Sequence, residues 1–219
     1  MVHAMTANGI TGMQIAAALG AFAGAYLAGS VNFSLLAARA LGYGDLRKRG
    51  SGNAGATNLG RVAGKGAAAF VLALDIARGA GVVLVASALG YGPFAAFAAL
   101  PLLLGNLFPA FHSFKGGKGV AASVGAVLAV SPFALLASGG IFLVAFALGR
   151  RVSVGSLAMA ASYPLTLWLI GGAPSEVVAG AAIGAILVGA HRRNIVRLVA
   201  GAEPMTAFGT RDKNGEEKP

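Results

Sequence analysis

The chain has 219 residues, 57% hydrophobic and only 11% charged, with 17 Lys and Arg against seven Asp and Glu and a formal net charge of +10; its mean hydropathy is +0.76. A soluble domain carries roughly 25% charged residues to face water, so lipid must solvate most of this surface, and the length leaves no room for a separate soluble domain. The absence of cysteine excludes disulfides, thiolate metal sites and a cysteine nucleophile.

Apolar segments fall at Ile15–Leu41, Ala67–Leu89, Pro93–Pro109, Val120–Leu148, Val152–Ile170 and Ser175–Ala190. No Lys or Arg precedes the first of them, so no cleavable signal peptide is expected. The largest polar loop, Gly42–Gly66, carries Asp45, Arg47, Lys48, Arg49, Arg61 and Lys65. Lys115 and Lys118 follow in Phe111–Gly119, then Arg150 and Arg151, then a tail opening with His191, Arg192, Arg193 and Arg197. The basic residues thus lie between apolar segments, where membrane topology rather than nucleic-acid binding accounts for them, and the positive-inside rule puts them together in the cytoplasm. A single crossing by Val120–Leu148 would leave Arg150 outside. That segment exceeds the ~20 residues of one span, and it contains Ser131-Pro132, where proline disfavours helix in the residue before it. Two shorter helices forming a hairpin are expected there.

The reading is an all-α, polytopic integral membrane protein of about seven transmembrane helices, with the N-terminus outside and the C-terminus cytoplasmic. It comprises a short N-terminal segment (1–14), one membrane-embedded domain (15–200) and a polar cytoplasmic tail (201–219), whose last part, Arg211–Pro219, is expected to be disordered. The 34 glycines suit close approach of membrane helices. Asp75 and Arg78 interrupt an apolar run on one helix face, and an internal ion pair is favoured there over a substrate contact.

Three polar stretches are unusual for loops. Gly50-Ser51-Gly52-Asn53-Ala54-Gly55-Ala56-Thr57-Asn58, followed by Arg61, combines sharply turning glycines with amide, hydroxyl and guanidinium donors. That mixture suits an oxyanion or phosphate better than a flexible linker. Phe114-Lys115-Gly116-Gly117-Lys118-Gly119 places glycines and lysines just before an apolar helix, which is an anion site in form; a basic anchor touching lipid head groups is the other reading. It is not a Walker A loop, because Gly119 stands where Ser or Thr is needed. In His191-Arg192-Arg193-Asn194, His191 and Asn194 share a face if the last helix continues; a merely interfacial histidine is the alternative. No paired carboxylates, no His-x4-Asp pair and no metal-ligand cluster accompany them. Three anion-binding stretches without a strong base point to a reaction between phosphorylated substrates whose leaving group is already activated.

These stretches closely resemble the PlsY-type glycerol-3-phosphate acyltransferases of bacteria, the acyl-phosphate-dependent membrane enzymes, from about Tyr26 to Glu203. Gly50–Arg61 follows the family's first motif, Phe114–Ala121 its second, and His191–Asn194 opens its third. The resemblance implies seven transmembrane helices in the bacterial inner membrane and a site at the cytoplasmic face. It implies transfer of a fatty acyl group from acyl-phosphate to the 1-hydroxyl of glycerol-3-phosphate, giving lysophosphatidic acid, with no cofactor or metal and with functional coupling to the enzyme that makes acyl-phosphate. Carried onto this chain, it makes Ser51, Arg61, Lys118, His191 and Asn194 the expected catalytic residues. Asn53, Thr57, Asn58, Gly116, Gly117, Gly119 and Ser156 are the expected substrate-binding residues. Three positions depart from the family's pattern: Asn106 stands where histidine is usual, Asn32 where proline is usual, and Arg193 where glutamate is usual.

An acyl-phosphate is a mixed anhydride, so catalysis requires holding two phosphates against their repulsion, for which Arg61, Lys118 and the Gly116–Gly119 amides are candidates. It requires placing the hydroxyl at the acyl carbon and stabilising an oxyanion with Ser51, Asn53 or backbone N–H groups. The proton can go to a substrate phosphate, the favoured course, or to His191. The rival from another class is a transporter of an anionic solute, but its site should lie mid-membrane on broken helices in repeated halves. Here the motifs share one face and no repeat is evident. A non-catalytic scaffold would leave three phosphate-type motifs unexplained.

Overall fold

A computed structural model describes residues 12–205, so residues 1–11 and 206–219, including Arg211–Pro219, lie outside the described part. The described residues fold as helices joined by turns: α1 (Gly12–Ser30), α2 (Phe33–Ala40), α3 (Ala56–Ala63), α4 (Lys65–Ala86), α5 (Ala99–Leu107), α6 (Val120–Val130), α7 (Pro132–Gly149), α8 (Val152–Leu169), α9 (Pro174–Ala190) and α10 (Arg192–Val199).

The apolar segments break where side chains offer the backbone an alternative partner. Ile15–Leu41 is two helices rather than one: the Asn32 side chain accepts the Leu35 N–H at 2.9 Å and caps α2. Val120–Leu148 divides at the expected place, where Ser131 Oγ accepts the Ala134 N–H at 3.2 Å and Pro132 opens α7. Between α4 and α5 the chain reverses through Gly90 and Gly92, both in the left-handed region, and a 3-10 turn at Gly92–Ala98. After α9 the chain bends by 60° at His191 into α10.

Four helical stretches among the described residues are long and apolar enough to cross a membrane: Gly12–Ala40, Lys65–His112, Pro132–Gly149 and Val152–Leu169. The bent pair Pro174–Ala190 and Arg192–Val199 qualifies as a fifth, and Val120–Val130 is a shorter apolar helix. Large apolar side chains such as Phe70, Leu84, Phe133, Leu136, Leu148 and Trp168 are exposed. A water-soluble monomer would not tolerate so much exposed apolar surface, whereas acyl chains cover it without penalty.

Small residues then set the inter-helix distances. A Cβ on Gly79 would lie 2.0 Å from the Ala122 carbonyl oxygen, and one on Gly125 would lie 1.9 Å from that of Ile76, so α4 and α6 touch backbone to backbone. Lipid tails are as apolar as leucine, so such close van der Waals packing, not hydrophobic burial, holds the helices together. Asp75 and Arg78 of α4 form the expected ion pair at 2.5 Å. Arg78 also donates to the carbonyls of Ala28 (3.2 Å), Gly29 (3.4 Å) and Val31, and stacks over Phe33. It thereby satisfies the orphan carbonyls at the end of α1 and pins the α1–α2 break to α4.

Candidate active site

The first loop is built around Asn58, which is fully buried. Its Oδ1 accepts the Ser51 N–H at 2.8 Å, and its Nδ2 donates to the carbonyls of Leu46 (3.2 Å), Arg49 (2.9 Å) and Asn53 (3.0 Å). Gly50 must be glycine because its φ is +56° and a Cβ would lie 2.3 Å from Asn58 Oδ1. Asn58, expected to bind substrate, is therefore engaged in shaping the loop. The side chains of Ser51, Asn53, Thr57 and Arg61 make no hydrogen bond among the described residues and line a cleft.

The second loop is docked onto the first by Arg47. Its guanidinium is held by Asp45 at 2.8 Å and donates through Nη1 to the carbonyls of His112 (2.8 Å) and Lys115 (3.2 Å). The hydrogen bond from Arg47 is the main reason the Asp45 carboxyl titrates at about 2. Ser113 and Phe114 take left-handed conformations just before the glycines. The expectation that Gly116 and Gly117 present N–H groups to a phosphate is corrected: these donate to the carbonyls of Leu107 (3.1 Å) and Asn106 (3.0 Å). Glycine is required there because a Cβ on Gly116 would lie 2.0 Å from the Asn106 oxygen, and one on Gly117 2.7 Å from the Ala54 oxygen. The N–H groups left for an anion are those opening α6 after Gly119, beside Lys118. Burial and the neighbouring guanidiniums of Arg197 and Arg61 outweigh the attraction of Glu203 and bring the Lys118 ammonium down to about 8.

The third stretch sits at the α9–α10 bend. His191 is 2% exposed, and its Nδ1 lies 2.8 Å from the Leu187 carbonyl. That carbonyl can only accept, so Nδ1 carries the proton and Nε2 offers a lone pair. Burial and the Lys118 charge hold the imidazole near 4, hence neutral. Asn194 donates to Glu203 Oε1 at 2.5 Å, Ser153 to the same oxygen at 2.8 Å, and Arg197 to Oε2 at 2.7 Å. Burial alone would raise the Glu203 carboxyl, but these three bonds outweigh it and hold it below the usual carboxylate range. Glu203, expected in the polar tail, is buried and joins the start of α8 to α10, so the folded unit reaches past residue 200. The available signal was a lone acid among arginines at the limit of the family resemblance.

These pieces enclose one cleft of about 1330 Å³. Ser51, Asn53, Thr57, Arg61, Lys118 and His191 line its polar end, with Ser156 beside them. Leu72, Ile76, Val124, Leu135, Leu136 and Phe142 line its apolar end, between α4, α6 and α7. Asn32, the second departure from the family pattern, is structural: its Nδ2 donates to the Ala54 carbonyl at 3.1 Å.

The family described as Glycerol-3-phosphate acyltransferase matches residues 19–201. A glycerol-3-phosphate acyltransferase of Thioalkalivibrio sulfidiphilus is 42% identical over 192 residues, covering 87% of this chain and 95% of the relative. One from Methylorubrum extorquens is 45% identical over 180 residues, covering 81% and 87%. The crystal structure of PlsY (YgiH), an integral membrane glycerol 3-phosphate acyltransferase in its glycerol 3-phosphate form, superimposes with a TM-score of 0.82 at 38% identity, covering 87% of this chain and 96% of that one. Its lysophosphatidic acid form gives 0.80 at 37%. The three motifs converge on one cleft, and the matches run across nearly the whole chain, so this protein belongs to the PlsY-type glycerol-3-phosphate acyltransferase family.

Proposed function

We propose that this protein transfers a fatty acyl group from acyl-phosphate to the sn-1 hydroxyl of glycerol-3-phosphate, releasing lysophosphatidic acid and phosphate. The observation that carries this is the two-ended cleft: unengaged cationic, hydroxyl and amide groups at one end, and an apolar passage between α4, α6 and α7 at the other. A phosphate head joined to an acyl chain fits both ends at once. Purified protein given both substrates should form lysophosphatidic acid and inorganic phosphate in equal amounts.

In the reaction the hydroxyl oxygen attacks the acyl carbon, the bond from that carbon to the bridging phosphate oxygen breaks, and phosphate departs with the electron pair. Lys118 and Arg61 neutralise the two phosphates, while Ser51, Asn53 and the first N–H groups of α6 are placed to stabilise the oxyanion. The hydroxyl proton passes to phosphate. His191, held near 4, is a poorer base than a phosphate whose second pKa is about 6, so His191 Nε2 orients the hydroxyl as a hydrogen-bond acceptor. His191→Gln should therefore retain measurable turnover at saturating substrate. A loss of about 10²–10⁴-fold in a variant that still binds glycerol-3-phosphate would make His191 the general base.

We further propose seven spans in a bacterial inner membrane, with the N-terminus outside, all three motifs cytoplasmic, and functional coupling to the enzyme that supplies acyl-phosphate. The break at Ser131-Pro132 between the short α6 and the long α7 supports reading them as a pair that crosses and returns, which would bring Arg150 to the side of Lys118. Cysteines introduced at Arg151 and Lys213 should both resist an impermeant thiol reagent in intact cells; labelling at 151 would remove the paired crossing.

A further inference from the structure

We infer that Asn106 is a substrate-contacting residue: its side-chain amide donates to the phosphate held at the start of α6. This rests on reading the cleft as a glycerol-3-phosphate acyltransferase site. Asn106 is the penultimate residue of α5, is only 7% exposed, and forms part of the cleft wall. Its side chain makes no hydrogen bond among the described residues. The other buried asparagines behave differently: Asn32, Asn58 and Asn194 all have partners in the protein. No protein group bonds this amide, and its polar atoms are not sealed in the protein but border the cleft, which is where a partner would bind.

Its surroundings specify that partner. The Asn106 carbonyl accepts the Gly117 N–H at 3.0 Å, which ties the residue to the second loop. Its Oδ1 lies on the Gly117 side, 3.3 Å from where a Cβ would stand, and the Ala54 carbonyl of the first loop approaches the same point. Asn106 is thus at the seam of the two loops that carry Arg61 and Lys118, and its Nδ2 is left to donate. The position is rigid. A Cβ on Gly105 would lie 2.1 Å from the Tyr26 oxygen. Beyond Asn106, the Tyr26 hydroxyl donates to the Phe108 carbonyl at 2.7 Å and the Ala110 N–H to Ser30 Oγ at 3.2 Å. A donor fixed in place needs no reorganisation when charge arrives. Being an amide, it also donates unchanged across pH, unlike the histidine usual in the family.

The test compares Asn106→Ala with Asn106→Asp. Asparagine and aspartate have the same shape, but the carboxylate can only accept and repels an anion. Binding of inorganic phosphate, read as a shift in melting temperature, and KM for each substrate are measured on the purified protein. Asn106→Ala should weaken phosphate binding about ten- to a hundredfold, the scale of a hydrogen bond to a charged group. Asn106→Asp should weaken it further while melting within a few degrees of wild type without ligand. The substrate whose KM rises more identifies the phosphate contacted. Phosphate affinity within twofold of wild type in both variants, or better function in Asp than in Ala, would overturn the inference while leaving the acyltransferase reading intact. A wild-type protein that neither binds phosphate nor acylates glycerol-3-phosphate would overturn both.

Discussion

Lys118→Ala and Arg61→Ala are each expected to lower kcat/KM roughly tenfold to a hundredfold, the scale of a lost charge-assisted hydrogen bond of about 1.5–3 kcal/mol. Lys118 is the more informative. Its ammonium is brought down to about 8 by burial first and by the neighbouring guanidiniums second, and only the protonated form can neutralise a phosphate. In the free enzyme kcat/KM should therefore fall as pH rises through about 8. Arginine keeps its charge across that range, so in Lys118→Arg the alkaline fall should move upward in whatever activity survives the change of shape. The same depression has a second consequence. A folded-state pKa below the unfolded value means that the charged ammonium is held at a cost below about pH 8, and that cost lessens as pH rises through 8. Lys118→Met should then melt no lower than wild type at pH 7, and higher if the buried charge is the main strain, while losing activity. A variant that lost both stability and activity would mark Lys118 as a packing residue. Residues that serve function at the expense of stability are expected at such sites.

The parts of this site legible in the sequence were those encoded locally. Pro132 after Ser131 marked the break between α6 and α7 because a proline constrains its own neighbours. The crowding of donors in Gly50–Arg61 and of glycines and lysines in Phe114–Gly119 marked two loops that meet at one cleft. What could not be read was the division of labour within the loops. Asn58 is as polar as Asn53, and only the fold shows that four backbone groups surround its amide while Asn53 is left to face the cleft. Gly116 and Gly117 carry the composition of an anion nest, yet their N–H groups turn back to α5. Glu203 bonds Ser153 across 50 positions of sequence, and no periodicity reports such a pair. The break at Asn32 was missed for a related reason: without proline or glycine, a single capping amide ended one helix and began the next.

The choice of acyl donor carries the largest expected difference of all, and it follows from how His191 and Glu203 are engaged among the described residues. His191 is oriented by a backbone carbonyl rather than by a carboxylate, and Glu203 is engaged by Asn194, Ser153 and Arg197. Neither is fit to activate a hydroxyl against a thioester, whose thiolate leaving group brings no phosphate oxygen to the reacting carbon to take the proton. On the mechanism proposed above, a mixed anhydride would bring both the activated leaving group and the proton acceptor to Lys118 and Arg61, and the protein would need only to position and neutralise. The direct measurement is lysophosphatidic acid formation by purified protein in lipid, with glycerol-3-phosphate and matched concentrations of acyl-phosphate or acyl-CoA of one chain length. Turnover with acyl-phosphate and at least a hundredfold less with acyl-CoA is the predicted result; comparable rates with the two donors, or acyl-CoA alone supporting product, would contradict it.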